Sequence, residues 1–293
     1  MTRAASDDDR NDKPYTSRFA GTVPFRALKQ DTRFSCCIHV PKSFMSGPTG
    51  HTLLLALHGS DRNALELCRM FQDLSETHRY VVLCPLFPGG VDEPENMDGY
   101  KFLFEGDLNY VNVIDAMIGE VEARLKFVFE HICLLGISGG AQCAHRYAIV
   151  RPRRIVAASI AAPGTISIPG LRASWWRGMH DLRERFGNAF SLEQFARIRF
   201  QLLVGAADTD ETEILPARNS AYQRGVTDYA GRNRIERLQT LHRELKALNV
   251  SSKIELVPDV AHQLEPMFGH VLSFFKEISL SETAPNPEWV FGI

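Results

Sequence analysis

Residues 132–150 read Ile-Cys-Leu-Leu-Gly-Ile-Ser-Gly-Gly-Ala-Gln-Cys-Ala-His-Arg-Tyr-Ala-Ile-Val. The apolar run from Ile132 to Leu135 has no polar alternation, as in a strand covered on both faces. A helical pattern opens directly after it and continues to about Val150. Between the two, Gly136-Ile137-Ser138-Gly139-Gly140 fits G-x-S-x-G. A serine on such a strand-to-helix turn sits in a strained backbone, and neighbours without a Cβ let strand and helix pass close together. The turn exposes the Ser138 hydroxyl and aims a helix N-terminus at it. Negative charge developing there meets free N–H groups and the helix dipole. Glycine-rich strand–helix turns also cradle phosphates, so the choice rests on whether the chain supplies an acid, a base and oxyanion donors.

Working outward, buried strands alternate with amphipathic helices. Upstream, Thr22–Leu28 and Thr32–Val40 read as strands, and His51–His58 is an apolar run ended by Gly59-Ser60-Asp61. Asn63–His78 is helical, with Leu65, Cys68, Phe71 and Leu74 on one stripe. Tyr80–Cys84 is a further strand, Pro85–Glu105 a long loop, and Asp107–Leu125 a helix with Asp107 placed to cap it. Downstream, Ile155–Ala161 is a strand. Residues 163–198 then break the alternation with Pro, Gly, Trp175-Trp176, Met179 and a charged helical stretch, and read as a cap-like insertion. Strand Arg199–Gly205, helix Asn233–Leu248, strand Ser252–Val257 and helix His270–Ile278 complete the series. The pattern predicts an α/β fold: a mostly parallel central sheet flanked by helices, with right-handed crossovers and a site beyond the carboxyl ends of the strands. One domain is expected over residues 19–280, between a disordered charged tail (1–18) and a polar tail (281–293).

Composition narrows the function. A net charge of −2 and a pI near 6.6 give no general attraction to nucleic acid or to an anionic membrane. No apolar run approaches the roughly 18 residues that span a bilayer. The polar, acidic start has no apolar signal region, so a cytoplasmic location is expected. Cys36, Cys37, Cys68, Cys84, Cys133 and Cys143 form no C-x-x-C pair and read as reduced core thiols. No spacing suits a metal site, and no cofactor is expected.

A serine hydroxyl is a weak nucleophile and needs a base, which in turn needs an orienting carboxylate. On sheets of the α/β-hydrolase type, which this strand–serine–helix turn resembles, the chain order is Ser, then Asp or Glu, then His. After strand Arg199–Val204 come Asp208 and Asp210. The short turn favours Asp208, and a shift of parity moves the role to Asp210. His262 is the one histidine with both the order and a post-strand loop position. His58 reads as a structural residue shaping the turn at Gly59, and His145, two helical turns past Ser138, as packed or exposed. The backbone N–H of Gly139 at the helix start and that of Ser60 after strand His51–His58 are the expected oxyanion donors. Trp175 and Trp176, with Met179, are candidates to line an acyl or aromatic pocket, with Tyr100, Phe102 and Phe104 as an opposite wall.

With these residues in place the chain resembles the α/β-hydrolase superfamily from about Thr22 to Ile278. The matching motifs are His58-Gly59-Ser60, Gly136-Ile137-Ser138-Gly139-Gly140, Gly205-Ala-Ala-Asp208 and His262. Within it the closest resemblance is to polyhydroxybutyrate depolymerase-like and carboxylesterase branches, through Cys37-Ile38-His39-Val40-Pro41 leading into Leu57-His58-Gly59-Ser60, and through Ser138-Gly139-Gly140-Ala141. The resemblance implies acyl transfer: hydrolysis of a small intracellular ester, thioester or lactone through an acyl-enzyme on Ser138. An amidase or acyltransferase with the same residues, or a catalytically silent ligand-binding scaffold, stays open. The expected partner is a small-molecule substrate. The sequence does not set the oligomeric state, and a homodimer stays open.

Overall fold

A computed structural model of the chain describes residues 20–211, 222 and 230–283. The expected tail 1–18 lies outside the described residues. The strands are β1 (Gly21–Ala27), β2 (Ser35–Val40), β3 (Thr52–Leu57), β4 (Tyr80–Leu86), β5 (Phe104–Glu105), β6 (Leu108–Asn109), β7 (Ile132–Ile137), β8 (Ile155–Ala161), β9 (Arg199–Gly205) and β10 (Ser252–Val257). The helices are α1 (Lys42–Ser46), α2 (Ala64–Met70), α3 (Gln72–His78), α4 (Gly99–Phe102), α5 (Tyr110–Leu125), α6 (Gly139–Val150), α7 (Leu182–Phe186), α8 (Leu192–Phe195), α9 (Arg234–Ala247) and α10 (Phe268–Thr283).

Eight strands form one sheet in the order β1-β2-β4-β3-β7-β8-β9-β10. The β1–β2 and β2–β4 pairings are antiparallel and the rest are parallel. Every residue of β3 is buried, as expected of a strand that is apolar from Leu53 to Leu57 and lies in the middle of a sheet. Register fixes the site: Leu57 lies beside Gly136, Ile137 beside Ala161, Ala161 beside Leu203, and Gly205 beside Val257. The loops that follow β3, β7, β8, β9 and β10 therefore emerge along one rim, at the carboxyl ends of the strands. None of the helices among the described residues is long and apolar enough to cross a membrane.

Three boundaries depart from the sequence reading. The helix expected over 63–78 is two helices that meet at buried Phe71. The helix expected from Asp107 begins at Tyr110, because Leu108–Asn109 pairs with Phe104–Glu105 as a short hairpin. Asn109, not Asp107, is its cap, accepting the Val111 N–H at 2.9 Å. The last helix runs to Thr283, three residues into the expected tail; residues 284–293 lie outside the described set. The hairpin itself closes around Glu105, a fully buried carboxylate. It accepts the Asp92 and Glu93 N–H groups and the Tyr110 hydroxyl, so its burial is compensated by three donors.

Candidate active site

Ser138 joins β7 to α6 with φ 50° and ψ −112°, a strained conformation for a residue with a side chain. Gly140 allows it: a Cβ there would lie 2.0 Å from the Leu57 carbonyl oxygen at the end of β3. His262 reaches the serine from the loop after β10. Gly205 makes room for that loop, since a Cβ on it would sit 2.2 Å from the Val260 carbonyl oxygen. The Ala207 N–H donates to the same carbonyl at 2.8 Å, tying the β9 and β10 loops together.

The three side chains meet in series. His262 Nε2 lies 3.0 Å from Ser138 Oγ, and His262 Nδ1 lies 2.8 Å from Asp208 Oδ2. With Asp208 ionised, Nδ1–H donates to it and Nε2 is left to accept the serine hydroxyl. Asp208 is buried and Asp210 is exposed, so the geometry brings Asp208 to the histidine. Burial disfavours the Asp208 charge, but the His262 hydrogen bond and the Arg234 guanidinium outweigh it and hold the carboxyl below its usual range. The Gly139 N–H opens α6, and neither it nor the Ser60 N–H has a protein acceptor among the described residues. Both donors belong to loops that meet at Ser138.

No protein-family model matches the sequence, and no curated protein matches it. Solved structures do. The fold is similar to that of poly(aspartic acid) hydrolase-1 from Sphingomonas sp. KT-1, at 20% identity and a TM-score of 0.62, over 82% of this chain and 92% of that one. It is similar to poly(3-hydroxybutyrate) depolymerase from Bordetella parapertussis, at 18% identity and a TM-score of 0.63, over 86% and 85%. An S-formylglutathione hydrolase from Agrobacterium tumefaciens aligns at 14% identity and a TM-score of 0.54, over 84% and 89%.

The chain has the α/β-hydrolase fold.

Within that fold Ser138 opens onto a groove of about 390 Å³. One wall carries Ser60, Asp61 and Glu66, and the other His262, Leu264 and Glu265; Lys101 and Gln142 also line it. Lys101 is already engaged, its Nζ 2.6 Å from Asp98.

Trp175 and Trp176 do not reach this groove, which corrects the sequence expectation. Both are buried. The Trp175 indole N–H donates to the Phe102 carbonyl at 2.8 Å, and that of Trp176 to the Tyr222 carbonyl at 3.0 Å. Trp175 packs on Phe186 and Trp176 on Phe102. Residues 163–198 thus use these aromatics to pack onto the main hydrophobic core, with each indole N–H satisfied. From the stretch 163–198 only Gly164 lines the groove. Tyr100 and Phe102 are buried too, and none of the expected opposite wall, Tyr100, Phe102 and Phe104, lines the groove; their neighbour Lys101 does. His58 and His145 are both structural, as read: each ring sits between a backbone carbonyl and a backbone N–H.

Sequence reasoning missed Arg234. Its Nη1 lies 2.9 Å from Asp208 Oδ1, with both side chains buried. The signal was available. Arg234, Leu238, Leu241 and Leu245 share the buried face of α9, so a charge stands at a core position and requires a partner there.

Proposed function

We propose that the protein is a serine hydrolase that cleaves a carboxylic ester, thioester or lactone of a small molecule through an acyl-enzyme on Ser138. The observation that carries this is the continuous hydrogen-bonded series Ser138–His262–Asp208, at 3.0 and 2.8 Å, at the mouth of a groove. In this reading His262 takes the hydroxyl proton as Ser138 attacks the carbonyl carbon. The oxyanion forms between the Ser60 and Gly139 N–H groups, each worth about 3 kcal/mol of transition-state stabilisation by analogy with measured oxyanion donors. His262 then protonates the leaving group, and a water repeats the sequence on the acyl-enzyme.

Ester chemistry is supported by the printed functions of structural neighbours: a poly(3-hydroxybutyrate) depolymerase, an S-formylglutathione hydrolase and a ferulic acid esterase. A small substrate suits a groove of this size. Its charge is selective. Lys101 and Arg234 are each paired with an aspartate, whereas Asp61, Glu66 and Glu265 line the groove with no basic partner among the described residues. The site therefore suits a neutral or cationic ester better than a polyanion such as the polymer named for one neighbour. A cytosolic setting is supported by six free cysteines, five of them buried.

The test is a fluorophosphonate probe. Wild type is expected to label at one site and Ser138→Ala to lose the label. Resistance of the wild type, under conditions where a known serine esterase reacts, would favour a silent binding scaffold. A chain-length series of nitrophenyl esters against the matching anilides then separates esterase from amidase.

A further inference from the structure

Three arginines lie buried around the groove, and they are bonded differently. Arg146 donates to Ser167 Oγ, Thr165 Oγ1 and the Lys101 carbonyl at 2.7–2.9 Å, and stacks on Phe102 and Trp176. Arg237 donates to the carbonyls of Gly231 and Gly164. The acceptors named for these two are uncharged groups. Arg234 differs. Its one hydrogen bond among the described residues goes to Asp208 Oδ1, and its buried Nε has no partner. Asp208, for its part, receives no backbone N–H on its carboxylate among the described residues; its own N–H donates to the Gly205 carbonyl. Its two oxygens are shared between one imidazole and one guanidinium.

We propose that Arg234 is a positioning residue of the hydrolase site: it fixes the rotation of the Asp208 carboxylate so that Oδ2 faces His262. The inference rests on the serine-hydrolase reading. Arg234 touches neither substrate nor reacting atoms; it acts through Asp208. A carboxylate with one partner rotates about χ2, whereas one held at both oxygens presents a single face to the ring.

The experiment measures the rate of fluorophosphonate labelling at neutral pH, and the urea midpoint, for wild type and for Arg234→Lys, Arg234→Gln and Arg234→Met. Met offers Oδ1 no donor, so its labelling rate is expected to fall about 10-fold or more as the carboxylate loses its orientation. Lys keeps a charged donor, so it is expected to recover part of that rate. A purely structural role moves the rate only through the folded fraction, which the urea midpoint reports. If the Met variant fails to fold, Gln, whose shorter amide does not reach Oδ1, takes its place. A folded Met or Gln variant that labels at the wild-type rate overturns the proposal alone. A wild type that resists the probe overturns the hydrolase reading and the proposal with it.

Discussion

Lowering the pH from 7.5 to 5 should cost this protein a large part of its stability, through two histidines that play no part in the proposed chemistry. His58 and His145 are buried, and each is held in one neutral tautomer by two backbone groups. His58 Nδ1–H donates to the Gly59 carbonyl at 2.7 Å, and Nε2 accepts the Phe87 N–H at 3.1 Å. His145 Nδ1–H donates to the Ala141 carbonyl at 2.8 Å, and Nε2 accepts the Ser167 N–H at 2.8 Å. An imidazolium in either place would set a new N–H against an existing one. Burial pushes His58 down to about 4 and His145 down to about 3. The sign follows. Below about pH 6.5 the unfolded chain binds protons that the folded chain refuses, so stability falls with falling pH until the folded values are reached. At pH 5 the loss is ~2 kcal/mol per histidine, or ~4 kcal/mol for the pair, against a typical total of about 5–15 kcal/mol. His51, His78 and His242 are shifted in the same direction, also by burial, and add to the slope. Asp208 acts in a different window: its carboxyl is held low, so its contribution is present above about pH 3.9 and lost as pH falls through its lowered value. Urea denaturation at pH 7.5, 6 and 5 measures the loss, and His145→Gln should remove close to half of it. A stability that stays level down to pH 5 and drops only where carboxylates titrate would refute the reasoning.

Two further outcomes are expected. Gly140→Ala places a Cβ against the Leu57 and His58 carbonyls; it should lower stability by about 1–3 kcal/mol in a thermal melt and slow probe labelling, because it displaces the strand end that carries the Ser60 N–H. Gly119→Ala, within α5 and with no atom within 4 Å of the new Cβ, is the control and should stabilise by about 0.5–1 kcal/mol. The acids of the groove should make kcat/KM for nitrophenyl hemisuccinate at least ~10-fold lower than for nitrophenyl butyrate at low salt, with the gap closing as salt rises; a hemisuccinate that is the better substrate contradicts the charge reading.

The legible parts of the chain are those where one physical rule acts alone. A strand buried on both faces must be apolar throughout, so β3 and β7 stand out from their neighbours. A residue that opens a helix beyond such a strand has few conformations available, and Ser138 occupies the one that its glycine neighbours permit. Asp208 and His262, singled out by chain order, come together because β9 and β10 are parallel neighbours that end at the same rim. Where two rules compete, the sequence read poorly. Asp107 and Asn109 are both good caps, and a two-residue hairpin, which no periodicity reveals, chose the second. Trp175 and Trp176 carry enough apolar surface for a pocket or for a core, and composition does not separate the two.

The misplaced Trp pair and the missed Arg234 have a common cause. Reading function from residue type expects aromatics at a ligand and charges in solvent. Here the aromatics of residues 163–198 are spent on the main core, with Trp176 and Phe102 closing over buried Arg146. That core holds the Lys101 carbonyl and leaves the lysine side chain on the groove. The α9 helix does the reverse, lending two positions of its buried face to arginines. One reaches the carbonyl of Gly164 in the β8 loop and the other the Asp208 carboxylate. A buried cation is stabilised only where acceptors pair with it in the folded state. With α9 seated, the β8 and β9 loops supply those acceptors, and the carboxylate that satisfies Arg234 is the one that meets His262.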